Sequence, residues 1–192
     1  MGLSQYPSGL GFLSFISLVP LIPVIKALSS YKKALMIGLL WGIIYNTTSV
    51  YWLMFNIGTS NLLAFFTMLG SVIILTVSPV LILLLFCMLR KRGKSIFTLA
   101  LIWPSIELIR SYGTLAFPWV SIANSLSTYN SIIQNAEYIG IYGLSSIIVL
   151  INILIFKVFE NRKKINGFIL FISILLPILT GKLIEFSQPK SS

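Results

Sequence analysis

Residues 62–89 read LLAFFTMLGSVIILTVSPVLILLLFCML, twenty-eight positions without a charge, and Arg90, Lys91, Arg92 and Lys94 follow at once. A helix crosses a bilayer with about 20 apolar residues, so this run reads as a membrane span. At about 1.5 Å per residue it is about 42 Å long against a hydrocarbon core of about 30 Å. It is therefore expected to tilt, to bend at Pro79 or to extend into the interface. The basic run behind it has two readings, a nucleic-acid patch and a cytoplasmic anchor. Its place between apolar segments favours the anchor.

The rest of the 192-residue chain fits that reading. It is 57% hydrophobic and 9% charged, with a mean hydropathy of +0.97, whereas a soluble domain carries roughly a quarter charged residues. Working outward, five further spans are expected at residues 9–28, 34–55, 95–109, 132–156 and 165–181, with a polar tail at 182–192. The expected fold is all-α, a polytopic transmembrane bundle of about six helices, with no repeat, low-complexity segment or soluble domain. The N-terminus lacks a basic n-region and a small-residue cleavage pattern, so no cleaved signal peptide is expected.

Composition also excludes chemistry. The chain has no histidine, and its four acidic residues are all glutamate. A Ser-His-Asp triad, His/Asp metal sites and histidine acid/base catalysis are therefore outside these residues. The single cysteine, Cys87, can form neither an internal disulfide nor a thiolate cluster, and no base lies near it in sequence. No catalytic residue, cofactor, metal or nucleic-acid partner is assigned.

Charge position sets the expected topology. The net charge is +10, and eleven of the fourteen basic residues fall in three loops: Lys26, Lys32 and Lys33; Arg90, Lys91, Arg92 and Lys94; Lys157, Arg162, Lys163 and Lys164. The positive-inside rule makes these loops cytoplasmic and both termini external.

The outer end of the fourth span carries the candidate site. Trp103, Glu107 and Arg110 share one helical face at i, i+4 and i+7. An ionisable residue in a span is expected to look into the bundle or a wet cavity. Two readings stand: a functional face, or an interfacial Arg110 with Glu107 as its structural partner. The long connection that follows has no charge and holds Phe117, Pro118 and Trp119; it is expected to fold back over the helices, with the two aromatics as interfacial wedges. Gln134 and Glu137 begin the fifth span, and Glu137 is a second possible counterion for Arg110. Gly140, Gly143, Ser145 and Ser146 are small residues suited to close helix approach.

Trp103, Glu107, Arg110, Phe117, Pro118 and Trp119, followed by Gln134, Gly140, Tyr142, Gly143, Leu144, Ser145 and Asn152, resemble the membrane domain of bacterial apolipoprotein N-acyltransferases. Val19, Pro20 and Leu21, the stretch Gly38 to Gly42, and Trp52 fit the same pattern. The resemblance adds Asn152 to the packing positions. It implies an inner-membrane enzyme that moves an acyl chain from a phospholipid to the N-terminal amine of a diacylglyceryl-cysteine lipoprotein. In that family a periplasmic nitrilase-like domain does the chemistry with a Glu, Lys and Cys set. None of that set is carried over: Cys87 lies beside a basic loop, and Glu107 is not matched to the catalytic glutamate. The resemblance covers spans two to seven of the family's eight, with residues 182–192 like the start of its linker. The chain is thus expected to be a split or truncated form, inactive alone, with membrane phospholipid, the apolipoprotein and a separately encoded nitrilase-like domain as partners. The alternative is a small non-enzymatic membrane protein of transport or assembly type.

Overall fold

A computed structural model describes residues 1–5, 9–113 and 116–187, and among these there is no strand. The helices are α1 (Ile22–Lys26), α2 (Tyr31–Val50), α3 (Asn61–Lys91), α4 (Leu99–Arg110), α5 (Asn130–Ile133), α6 (Ala136–Asn161) and α7 (Lys164–Ser187). Short 3-10 turns precede or join them, notably Leu10–Phe15, Tyr51–Phe55, Pro118–Val120 and Ile122–Leu126. The all-α polytopic bundle is as expected. Among the described residues, four helical stretches are long and apolar enough to cross a membrane: Tyr31–Phe55, Asn61–Lys91, Ala136–Asn161 and Lys164–Ser187.

The two other expected spans differ from continuous spanning helices. Residues 9–28 form the 3-10 turn Leu10–Phe15, a run of turns and the five-residue α1. The segment nonetheless runs beside α6, from Tyr129, whose hydroxyl donates to Gly9 O (2.6 Å), to Glu160, which pairs with Lys26. An α-helix would join Leu18 N–H to Ser14 C=O. Here the buried Asn152 carboxamide of α6 takes both: Leu18 N donates to Oδ1 (2.9 Å), and Nδ2 donates to Ser14 O (2.8 Å). A side chain inserted into the i to i−4 ladder is a recognised cause of a helix break. The other exception, α4, has 12 residues, about 18 Å of helix.

Proline and glycine set the helix contacts. Pro79 lies inside α3, and the Gly38 and Gly42 backbones of α2 fit against it. A Cβ at Gly42 would come within 2.8 Å of Pro79 Cγ, and one at Gly38 within 2.8 Å of Val80 Cα. Small residues one turn apart thus let α2 and α3 touch backbone to backbone. Pro104 inside α4 deprives the Ala100 carbonyl of its helical donor. Ser146 of α6 supplies the replacement, its hydroxyl donating to Ala100 O at 2.6 Å.

One core joins the broken segment, α3, α4, the 122–126 turn and α6 through Leu18, Ile22, Phe86, Leu99, Ile122 and Ile148, all fully buried. The α7 helix lies outside it and buries only Pro177 and Gly181 among its described residues. Asn135 ties it on, donating to Pro177 O (2.7 Å) and accepting from the Thr180 hydroxyl (2.5 Å). The helix also runs on to Ser187, so residues 182–187, expected to be tail, are helical; residues 188–192 lie outside the described ones.

Contacts gather the three basic loops at one end. Glu160 takes both Lys26 and Lys157 (the latter at 3.0 Å), and Lys91 lies 3.8 Å over the Tyr31 ring. Cys87 is buried near this end.

Candidate functional site: a loop seated on a buried glutamate

At the opposite end, α4 delivers Trp103 and Glu107 into the bundle, one turn apart and both buried. Glu107 Oε1 accepts the Trp103 indole N–H (3.0 Å) and the Ile122 backbone N–H (2.8 Å). Ile122 opens a 3-10 turn whose first N–H groups have no partner within the turn. The carboxylate therefore caps, from fifteen residues away in sequence, a turn that would otherwise bury an unpaired donor.

The carbonyls of the same loop are also taken. Tyr45 of α2 donates to Val120 O (3.2 Å), Gln5 donates to Ser121 O (3.1 Å), and Asn124 donates to Pro118 O (3.2 Å) and Trp119 O (2.6 Å). With its polar groups satisfied, a stretch containing the buried Val120, Ser121, Ile122, Ala123, Ser125 and Leu126 sits inside the bundle end.

Aromatic rings brace this seat. Trp41 stacks on Tyr45 at 5.5 Å and meets Trp103 edge-on at 5.4 Å. Above them Trp52 stacks on Trp119 at 6.3 Å. The two expected wedges divide: Phe117 is half-buried against the Tyr45 and Met68 cluster, whereas Trp119 is 67% exposed. Pro118, Trp119, Asn124, Ile141 and Tyr142 line an open cleft of ≈ 320 Å³. A separate apolar cavity of ≈ 220 Å³ lies among Phe15, Leu126, Ile148, Ile174 and Pro177. No cluster of metal-ligating side chains occurs among the described residues.

Three expectations need correction. Glu107 and Arg110 form no ion pair within 4.0 Å; the carboxylate is turned toward Trp103 and Ile122 instead. Glu137 is exposed and not ion-paired with Arg110 either. It lies with Gln134 at the joint of α5 and α6, where the backbone turns and Asn135 faces α7. Gly140 meets no neighbour within 4 Å; its role is local, because φ 68° and ψ 167° place a kink there, and that region belongs almost solely to glycine. Gly143 makes room for Ile139 of its own helix, where a Cβ would approach Ile139 Cβ to 2.8 Å. Ser145 is fully buried on α6, and Asn152 holds the broken segment. Residues 114 and 115 of the connection lie outside the described ones.

The sequence reading missed Tyr45, Gln5 and Asn124, and it gave Trp52 a place only in the family resemblance. The i, i+4 spacing of Trp41 and Tyr45 on a span was the available signal for the first of these.

The fold and the seated loop define a multi-pass α-helical membrane protein. The profile of the apolipoprotein N-acyltransferase N-terminal domain matches residues 1–154, and the chain belongs to that family. Curated relatives include apolipoprotein N-acyltransferases of Geobacter metallireducens, 27% identical over 135 residues (68% of this chain, 26% of the relative), and of Rickettsia prowazekii, 30% identical over 141 residues (69% and 28%). The apolipoprotein N-acyltransferase 2 of Treponema pallidum is 36% identical over 67 residues (34% and 12%). The chain thus matches about a quarter of the length of the first two relatives. No solved structure matches it.

Proposed function

We propose that these residues are the membrane-embedded part of an apolipoprotein N-acyltransferase. They would seat the catalytic domain at the outer face of the bacterial inner membrane and give phospholipid and lipoprotein access to it. The single observation that carries this reading is the loop Phe117 to Leu126. It is fixed from below by Glu107, Tyr45 and Gln5, yet presents Trp119 and Trp52 at its rim beside an open cleft. Amphipathic indoles at such a rim suit the boundary between acyl chains and water.

The acyl transfer itself needs an activated nucleophile, and the only thiol here, Cys87, is buried at the basic end. The reading therefore assigns the chemistry to a nitrilase-like domain, in the same polypeptide or separately encoded, and expects these 192 residues alone to transfer no acyl chain. The basic loops are assigned to the cytoplasm and both ends of the chain to the periplasm.

The test joins the chain to a family catalytic domain in cells depleted of their own N-acyltransferase and follows lipoprotein N-acylation. Rescue that is lost in Trp119→Ala, with the protein still folded and in the membrane, is the expected result. Rescue unaffected by Trp119→Ala would refute the role of the rim. A reporter after Ser192 that is active only in the cytoplasm would refute the orientation.

A further inference from the structure

The carboxylate that seats the loop uses only one of its oxygens. Glu107 is 3% exposed, and its Oε2 is buried without a hydrogen-bond partner in the protein. The same holds for Nε and Nη2 of Arg110. These two nitrogens form one edge of the guanidinium, a fork of parallel N–H donors shaped for oxygen acceptors. Ser145 Oγ of α6 is likewise buried without a hydrogen-bond partner in the protein.

Glu107 and Arg110 line the same cavity, together with Trp41, Tyr45, Ser78 and Val120, and its volume is ≈ 10 Å³. Three unpaired polar atoms of a buried acid and a half-buried base are costly if left dry, since a buried unsatisfied group costs about 1–3 kcal/mol and a charged one more. A direct ion pair would remove the cost, but Glu107 Oε1 is already held by Trp103 and Ile122 and the guanidinium is not within 4.0 Å. A phosphate or carboxylate ligand is too large for the space. One water needs about 10–15 Å³ and two to four polar partners, and both conditions are met.

We infer that this cavity is a binding site for a single ordered water that bridges Arg110 to Glu107. Its oxygen accepts from the Arg110 fork, one O–H donates to Glu107 Oε2, and the other is free for a lining oxygen. The water converts two separated charges into one hydrogen-bonded unit beneath the Pro118–Val120 turn, and so stiffens the loop from its buried side. This inference does not depend on the proposed acyltransferase role.

X-ray radiolytic labelling of the intact chain in lipid nanodiscs, with a switch to H2¹⁸O, tests it directly. Hydroxyl radicals formed from a held water attack the side chains around it. Trp103, 3% exposed, is therefore expected to be oxidised at a rate near that of Trp119, 67% exposed, but to take up ¹⁸O more slowly. Phe86, fully buried in the core away from this cavity, serves as the unlabelled control. Absence of Trp103 labelling would overturn the inference, and so would ¹⁸O uptake as fast as at Trp119, which would mean an open crevice. Ser78→Val is an independent measure: filling a wet polar cavity lowers the melting temperature, whereas a rise would show that the cavity is dry.

Discussion

Replacing Asn152 by leucine isolates the contact that breaks the first apolar segment. The two side chains are close in size, so the change removes hydrogen bonds with little loss of volume. Three bonds go. The one to Ile148 O (2.9 Å) matters least, because that carbonyl remains within the α6 ladder. Loss of the other two leaves the Leu18 N–H buried without a partner, while Ser14 O keeps the Ser17 hydroxyl as a donor (3.2 Å); Leu18 and Ser14 are both fully buried. For the one orphaned group the cost is about 1–3 kcal/mol. Polar contacts between membrane helices average only about 0.6 kcal/mol because the reference state finds substitutes, which places the expected loss near the lower end of that range. Equilibrium unfolding in bicelles reads the stability, and hydrogen exchange at the Leu18 amide reads the local effect. Asn152→Leu should lose about 1 kcal/mol or more and release Leu18 to exchange. A variant as stable as the wild type with Leu18 still protected would show that the segment can close its own helical ladder, and the explanation of the break would fail.

Gly42→Val should separate α2 from α3, since even a Cβ would meet the Pro79 ring at 2.8 Å; loss of disulfide cross-linking between cysteines placed on the two helices reads this. Ser146→Ala removes the donor to the Ala100 carbonyl and should cost about 0.5–1.5 kcal/mol, measured by the same unfolding assay, while Ser105→Ala, whose hydroxyl bonds only within its own helix, serves as the neutral control. Gly140→Ala forces a side chain into a glycine-only region at an open site and should destabilise by about 1–3 kcal/mol; equal stability would mean that the kink relaxes. Asn135→Leu should loosen α7 selectively, seen as faster exchange in residues 177–184 with the 99–110 helix unchanged.

The helical class and the approximate place of each segment were legible because they depend on long apolar runs and on where lysine and arginine interrupt them. What was not legible depends on partners distant in sequence. Residues 9–28 are apolar enough to span as one helix; Pro20 and Pro23 were visible within them, but the partner of the Ser14 and Leu18 backbone groups, Asn152, lies 134 positions after Leu18. The i, i+3 spacing of Glu107 and Arg110 predicted a pair, but spacing cannot register that an unpaired Ile122 N–H and the Trp103 indole will claim the carboxylate first. The 132–156 run likewise concealed a turn near residue 135, because its cause is an amide reaching to α7.

A common logic links these departures. Each helix-interior proline, Pro79, Pro104 and Pro177, removes an N–H from its own ladder and orphans a carbonyl one turn back. In lipid such a position must face protein rather than acyl chains. Pro79 faces the bare backbone at Gly42, the carbonyl freed by Pro104 meets Ser146, and the carbonyl of Pro177 itself takes Asn135. Polar side chains that look anomalous in apolar segments, Ser146, Asn152 and Glu107, are therefore groups that complete irregular backbone elsewhere in the bundle. Glu107 does this for the loop at the end of the bundle opposite the basic loops. Its loss as an acceptor is accordingly expected to disturb Ile122 and the Trp119 rim together, a linkage visible as coupled exchange at Ile122 and altered Trp119 fluorescence in Glu107→Leu.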